Sequence, residues 1–435
     1  MGVINIYYFD FISVGIDIGS KVSWASIITP DHKPFSRPIR IDHQSIESLE
    51  FLISQIKKAE EVNSLKARIF LESTGIYHIP LYCHLKESGF EVSILNPLIT
   101  DSNKNQGIRK VKSDKKDALR IAKTAYTNDL KTSLIPSDVV LNVRALVREY
   151  HKLADDKTSH VNQLTKELAI IFPGYNEVFS NTTSKTSISI LKTYRTPKRI
   201  LATPRDELID FIRKNAKKGL DAATKTYNKL INAAKIAITF SHQLRSSYDL
   251  IELQLDFIEI FEKKKTDILN RIKDYLHDYK DEKFVSQINL LRSINGVGFI
   301  SAVSIMAEIG DFSAFTKPKQ LVAYFGIDPS VKESGKFKGT KSKMSKRGSA
   351  VARRVLFIVA LASIRRNRKG EANNPVLRKY YDKKQESKAK KAAIGALMRK
   401  ITNIIFAVLR NNREFVIITP QQHIQNYNQL LKLVA

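Results

Sequence analysis

The chain has 435 residues, too many for one ordinary core, so two or three domains are expected. Its 72 Lys and Arg stand against 43 Asp and Glu, a formal charge of +29, which points to a polyanionic partner because neutralised phosphates release condensed counterions. The 43% hydrophobic content excludes a disordered basic tail, and the single cysteine, Cys83, excludes an intramolecular disulfide framework and a Cys-cluster zinc site. Apolar runs fall short of the roughly 18–20 residues that span a bilayer, and the first residues lack a basic n-region and a small-residue cleavage site. A cytoplasmic protein facing nucleic acid, with no membrane partner, is the class that remains.

Residues 14 to about 130 alternate between strand and helix patterns. Val14-Gly15-Ile16-Asp17-Ile18 and Trp24-Ala25-Ser26-Ile27-Ile28, joined through Gly19-Ser20, predict a strand, a tight turn and an antiparallel strand. Helical spacing follows over 45–57 through Ile46, Leu49, Leu52 and Ile56. Arg68-Ile69-Phe70-Leu71 predicts a strand ending at Glu72, 79–85 a helix, Val92-Ser93-Ile94-Leu95 a strand, and Ser113 onward a helix through Ala118, Ile121 and Ala122. Between 137 and 172 the periodicity becomes helical, and a second stripe runs through Ile251, Leu255, Ile258, Leu269, Ile272 and Leu276, interrupted by Glu262 and Lys265. Two long helices in an antiparallel coiled coil would bury both stripes, as an oligomerisation arm or as an intramolecular spacer. Residues 173–243 are Lys-rich and mostly helical in pattern. Ile294-Asn295-Gly296-Val297-Gly298 predicts a glycine hairpin feeding a helix over 299–309.

Four carboxylates stand out. Asp17 interrupts an apolar strand, Glu72 follows one, and Asp114 and Asp117 share a face at a helix start. Singly, each also reads as a turn, cap or helix-dipole residue. Together they supply four hard oxygen ligands with no His or Cys, a set suited to Mg²⁺ or Mn²⁺, and ions so held can stabilise attacking and leaving oxygens in phosphoryl transfer. Their order along the chain is that of RNase H/RuvC-like nucleases.

Val14-Gly15-Ile16-Asp17, Leu71-Glu72-Ser73-Thr74-Gly75-Ile76-Tyr77, Asn96-Pro97 and Lys112-Ser113-Asp114-Lys115-Lys116-Asp117-Ala118 resemble the DEDD transposases. These are RuvC-like insertion-sequence recombinases that include pilin-gene invertases and bridge-RNA-guided enzymes. The resemblance resumes with Ile294-Asn295-Gly296-Val297-Gly298, Ala323-Tyr324-Phe325-Gly326-Ile327-Asp328-Pro329, Glu333-Ser334-Gly335, Met344-Ser345-Lys346-Arg347-Gly348 and Arg353-Arg354-Val355-Leu356. It implies an α/β RuvC-like DEDD domain over 14–135, a helical coiled-coil and linker region over 136–284 with an insertion near 173–243, and a mostly α serine-bearing transposase domain over 285–415, in which Gly296-Val297-Gly298 resembles half of a helix-hairpin-helix element or is a simple helix-capping turn. It also implies a metal-bound site of Asp17, Glu72, Asp114 and Asp117, with Ser334 as the recombination nucleophile and Ser345 as the competing serine. The acids and the serine are expected to meet across protomers of a homo-oligomer, a dimer or tetramer, acting on double-stranded donor and target DNA under a structured guide RNA.

The basic C-terminal region fits that expectation. Residues 331–400 carry 22 Lys and Arg against 4 Asp and Glu, more than half of the excess charge. Lys336, Lys338, Lys341, Lys343, Lys346, Arg347, Arg353 and Arg354 surround Ser334 in sequence and are the candidate phosphate contacts. His78 and His84 are isolated, and Tyr380-Tyr381 lacks the basic-His pattern of a tyrosine nucleophile. Two other functions remain open on the residues alone: a RuvC-like structure-specific endonuclease that uses water, and a non-catalytic basic nucleic-acid-binding protein whose acids are caps. The DNA transposase or site-specific recombinase is the reading adopted.

Overall fold

The computed structural model describes residues 10–72, 77–95, 113–126, 138–179, 181–217, 219–241, 244–278, 282–329, 333–334, 337–338, 343–419, 421–422 and 424–425, with 333–334 and 337–338 by backbone alone. The chain divides into two compact units, Met1–Pro136 and Ser137–Ala435.

The first unit is a mixed α/β sheet. Its strands are β1 (Phe11–Asp17), β2 (Val22–Ile28), β3 (Ile39–Asp42), β4 (Lys66–Glu72) and β5 (Glu91–Leu95), ordered β3-β2-β1-β4-β5. The first three pair antiparallel, whereas β1–β4 and β4–β5 pair parallel. The crossover from β3 to β4 is made by α1 (Ile46–Asn63), capped by Ser45, whose hydroxyl accepts from the Ser48 amide at 3.1 Å. Strand alternation then sorts the core. Ile12, Val14, Ile16, Ile69 and Leu71 face α1 and α2 (His78–Glu87), packing on Leu52, Ile56, Leu81 and Leu85. Phe11 and Phe70 face the opposite side, where α3 (Asp114–Thr124) contributes Ile121 and Ala122. With a period of two, Asp17 and Glu72 share the α3 side. The antiparallel strands, both later strands and the three helices stand where the apolar pattern predicts. The edge strand β3 was not legible, and β1 begins at Phe11, three residues before the predicted start at Val14.

The second unit is helical. Two 34-residue helices, α4 (Asp138–Ile171) and α10 (Arg245–Asp278), pack along one another. Val143 and Val147 of α4 share a core with Ile272 of α10, while Leu164 and Leu168 share another with Ile251, Leu255 and Ile258, so the pair is antiparallel. Between the two cores the seam turns polar. Lys157 and Lys265 both pair with Glu262, at 2.6 and 3.3 Å, and His160 hydrogen-bonds Gln254 at 2.7 Å while stacking on Phe257. Glu262 and Lys265, which break the apolar stripe in sequence, thus pair with each other and with the facing helix.

One end of the pair carries α5 to α9 (Tyr175–Val178, Lys185–Tyr194, Pro197–Ala202, Arg205–Ala216 and Leu220–Phe240) around Phe172, Tyr175 and Ile212. The other end carries α11 (Glu282–Arg292), α12 (Phe299–Ile309), α13 (Pro318–Tyr324), the two-residue strands β6 (Glu333–Ser334) and β7 (Phe337–Lys338), α14 (Ala350–Ile364), α15 (Pro375–Gln385) and α16 (Lys390–Asn411). Helix α12 is apolar nearly all round and buried at its centre, as such a composition requires. Its one acid, Glu308, is buried and receives both Nε and Nη2 of Arg148 at 2.8 and 3.0 Å, which ties α4 to this core. Helix α16 corrects the expectation about apolar runs, because by length and composition it could cross a membrane. Its apolar residues, from Ala393 through Leu409, instead line the core of this unit.

Candidate active site

Asp17 ends β1 and Glu72 ends β4. Because Ile16 pairs with Leu71 in parallel register, the two carboxylates leave neighbouring strand ends on the α3 face. What brings α3 onto that face is the lack of a side chain at Gly15: a Cβ there would lie 2.4 Å from the Ala118 carbonyl oxygen and 2.1 Å from the Ala122 amide nitrogen. The helix is also tied to the strands by polar contacts. The Ser13 hydroxyl donates to the Ala122 carbonyl at 2.7 Å. The Tyr126 hydroxyl accepts from the Ser13 amide at 3.0 Å and reaches the Ile28 carbonyl at 2.9 Å. Lys115, in the first turn, lies 4.4 Å from the centre of the Trp24 ring, and Trp24 is the cross-strand partner of Asp17.

The first turn of α3 carries Asp114, which is exposed, and Asp117, which is buried, as is Glu72. Burial first, then the negative charges of Asp117, Asp114 and Glu72, push the Asp17 carboxyl up to about 6, with Arg120 acting the other way. The other three acids therefore all act electrostatically on Asp17, although the four come from two strands and a helix. Arg120, one turn after Asp117, pairs with it at 2.7 Å. Sequence reasoning missed both Gly15 and Arg120; the i, i+3 spacing of Arg120 from Asp117 was the available signal.

Every donor in this group is a carboxylate oxygen, which fits a hard divalent ion such as Mg²⁺ or Mn²⁺. The repulsion registered at Asp17 is the kind that a cation relieves. Among the described residues, no three His, Cys, Asp or Glu side chains are gathered tightly enough to hold an ion together. The charge and donor type fit a metal, and holding one requires the carboxylates to draw in.

The serine lies in the second unit. The backbones of Glu333–Ser334 and Phe337–Lys338 form a small antiparallel pair with Ser334 opposite Phe337. This segment rises from a tied neck. Pro329 bridges Met344, the Ser345 amide donates to the Asp328 carbonyl at 2.8 Å, and the Lys346 amide donates to the Gly326 carbonyl at 3.0 Å. Gly326 and Gly348 are required there: Gly326 has φ +65°, and a Cβ on Gly348 would meet the Tyr324 carbonyl oxygen at 1.9 Å. The Ser345 hydroxyl donates to Asp328 Oδ1 at 2.5 Å, so this competing serine is engaged in holding the neck. Asp328 is a further residue that the sequence did not single out.

Of the candidate phosphate contacts, Lys336 and Lys341 lie outside the described residues, as do Asn96, Pro97 and residues 73–76, while Lys338 is described by backbone alone. Lys343, Lys346 and Arg347 are exposed. The other two arginines are engaged within the protein. Arg353 Nη1 donates to the Gly348 carbonyl at 2.5 Å, and Arg354 pairs with Asp155 at 2.5 Å and donates to the His151 carbonyl at 3.2 Å. Tyr381 is buried in the helical core, and His78 and His84 stand on α2.

Comparison with known proteins gives two family matches. A DEDD transposase model, described as Transposase, matches residues 14–173, and one described as Transposase IS116/IS110/IS902 family matches residues 288–382. The chain is 24% identical to the uncharacterized 44.8 kDa protein of insertion element IS116 from Streptomyces clavuligerus, over 93% of this chain and 96% of that one. It is 26% identical to the uncharacterized 42 kDa protein of insertion element IS900 from Mycobacterium paratuberculosis, over 69% and 72% of the two chains. It is 32% identical to the pilin gene-inverting protein of Moraxella bovis over 29% of this chain and 38% of that one.

Proposed function

Since the chain belongs to the IS116/IS110/IS902 transposase family, whose members are DNA-modifying enzymes, we propose that it recombines DNA with a metal-bound acidic site and a serine nucleophile. The observation that carries the reading is the Asp17 carboxyl, raised by burial and by three further acids. Asp17, Glu72, Asp114 and Asp117 hold the ion, Mg²⁺ or Mn²⁺. When bound, the ion supplies positive charge to the scissile phosphate oxygens. Of these four, Glu72 and Asp117 are buried and Asp114 is exposed. Arg120 offsets part of the negative charge until the site is loaded.

The Ser334 oxygen attacks phosphorus. The P–O bond to the leaving strand breaks as the serine–phosphorus bond forms, the serine proton is lost, and the leaving oxygen takes up a proton. The phosphoserine link conserves the bond energy for rejoining. The 14–135 segment supplies the acids, 285–415 the serine, and 136–284 the spacing between them; the two parts of the site come together across protomers of a dimer or tetramer. The nucleic-acid partners are donor and target duplexes, and a structured guide RNA supplies sequence choice. Lys336, Lys338, Lys341, Lys343, Lys346 and Arg347 contact phosphates.

The test is a denaturing gel that traps protein covalently on labelled DNA. The wild type with Mg²⁺ gives an adduct, and Ser334→Ala gives none while still binding DNA. An adduct formed by Ser334→Ala overturns the nucleophile, and cleavage without any adduct makes the enzyme a RuvC-like hydrolase.

A further inference from the structure

The connection between α14 and α15 is a short hairpin that carries Arg365, Arg366, Arg368 and Lys369, all exposed. Many cations of this unit are matched to acids: Lys157 to Glu262, Lys192 to Asp256 and Glu259, Arg195 to Glu252, and Arg354 to Asp155. None of the four hairpin cations has a carboxylate within ion-pair distance among the described residues. The one acid of the hairpin, Glu371, is exposed and accepts from the Asn367 side-chain amide at 2.9 Å.

Four like charges within five residues repel one another, and a loose loop would let them spread apart. This loop is instead fixed. The Gly370 amide donates to the Asn367 carbonyl at 3.0 Å, closing a turn in which Gly370 has φ +83°. Asn367 Oδ1 accepts from the Lys369 and Glu371 amides at 2.9 and 3.0 Å, and Arg366 bridges Ala372. The stem is rooted on both sides. The Asn373 amide donates to the Arg365 carbonyl at 2.9 Å, the Asn374 amide to the Ser363 carbonyl at 2.9 Å, and the Asn373 side chain to the Ala362 carbonyl at 2.9 Å. Ser363 in turn donates to the Asn295 carbonyl at 2.9 Å, which sets the root of the hairpin against the glycine turn that feeds α12. Held cations without carboxylate partners are the arrangement that gains most from a polyanion, because the ordering cost is met before binding.

We propose that the 365–372 hairpin is a binding site for the sugar-phosphate backbone of duplex DNA, distinct from the segment that bears Ser334. It rests on the reading that this chain acts on DNA. The hairpin supplies affinity without base reading.

The experiment compares the full chain with an R365Q/R368Q/K369Q variant, measuring duplex affinity by anisotropy across a salt series. With about 0.9 counterions released per duplex phosphate contact, the slope of log affinity against log salt falls in magnitude by about 2 to 3 in the variant. R365K/R368K keeps the wild-type slope, and equal melting temperatures for all three show that the fold is intact. An unchanged slope and affinity in the Gln variant overturns the proposal. A loss confined to structured RNA, with duplex binding unchanged, overturns the assignment to DNA. Failure of the wild type to bind duplex at all is a different result, which sinks the reading of the whole chain.

Discussion

Gly15 and Ala122 approach so closely that a single added methyl group on Gly15 would stand 2.1 Å from the Ala122 amide nitrogen. That approach lays the backbone of α3 on β1 and brings the Asp114–Asp117 turn to the strand end that carries Asp17. The atoms in the way are backbone, which cannot rotate aside. Gly15→Ala is therefore expected to destabilise the first unit by about 1–3 kcal/mol through overpacking. It should also return the Asp17 carboxyl toward the ordinary range, read by NMR titration. Wild-type stability with an unshifted Asp17 would contradict this account.

Asp17 gives a prediction about metal and pH. Its carboxyl titrates at about 6 in the folded state, above the ordinary value of 3.8, so the ionised form opposes folding. Its favourable contribution is complete below about pH 4 and is lost as pH rises through 6. In EDTA at pH 7.5, Asp17→Asn should be more stable than the wild type by about 1–2 kcal/mol, allowing for partial solvent screening. The gain should vanish near pH 4. Adding Mg²⁺ should raise the wild-type melting temperature and leave that of the variant in place. Equal Mg²⁺ responses in both would remove Asp17 from the ligand set.

His151 is buried and held well below its usual range, to about 4, by burial first and then by the nearby Arg354, with Asp155 and Glu308 opposing. Its ring lies 3.0 Å from the Ser304 hydroxyl. The unfolded chain takes up a proton near pH 6.5 and the folded chain does not, so stability is lost as pH falls from 6.5 toward 4. Urea melts of the wild type at pH 7.5 and pH 5 should differ by on the order of 2 kcal/mol more than those of His151→Asn. The same pH dependence in both proteins would show that this ring does not titrate as described.

The two serines should separate cleanly. Ser345 holds Asp328 at the neck of the loop, so Ser345→Ala loosens the root of the segment bearing Ser334 without removing a nucleophile. Adduct formation should slow by roughly tenfold, the size of one lost charge-assisted hydrogen bond. Ser345→Thr keeps the donor and should recover the rate, while Ser334→Ala gives no adduct. The reverse pattern, with Ser345 indispensable and Ser334 dispensable, would exchange their roles.

The division between chain and fold runs through particular residues. Local periodicity was enough for β1, β2, β4, β5 and the start of α3, because each pattern is complete within one element. It was enough for both long helices as well, whose stripes repeat over many turns. The four-residue edge strand β3 offers only two buried isoleucines, too little for a local pattern to register. Helix α16 hid in the opposite way: its Lys and Arg interrupt the apolar letters in sequence but stand apart from its buried face in three dimensions.

For the site, the acids were legible as residue types at element ends, and α3 carries Asp114 and Asp117 within one turn. Their mutual influence was not legible. It depends on β1 pairing parallel with β4, a strand some fifty residues away along the chain, and on a bare Gly15 that admits a helix more than a hundred residues further on. The engagement of Ser345 by Asp328 likewise arises only where separated backbone segments cross, whereas the cations at 365–369 are fixed by local turn bonds on a stem rooted at Asn295. Composition and spacing are properties of neighbours along the chain, whereas a carboxylate's charge and a cation's freedom are set by what packing places beside them. For this protein the former decided the chemistry on offer, and the latter decided which groups can use it.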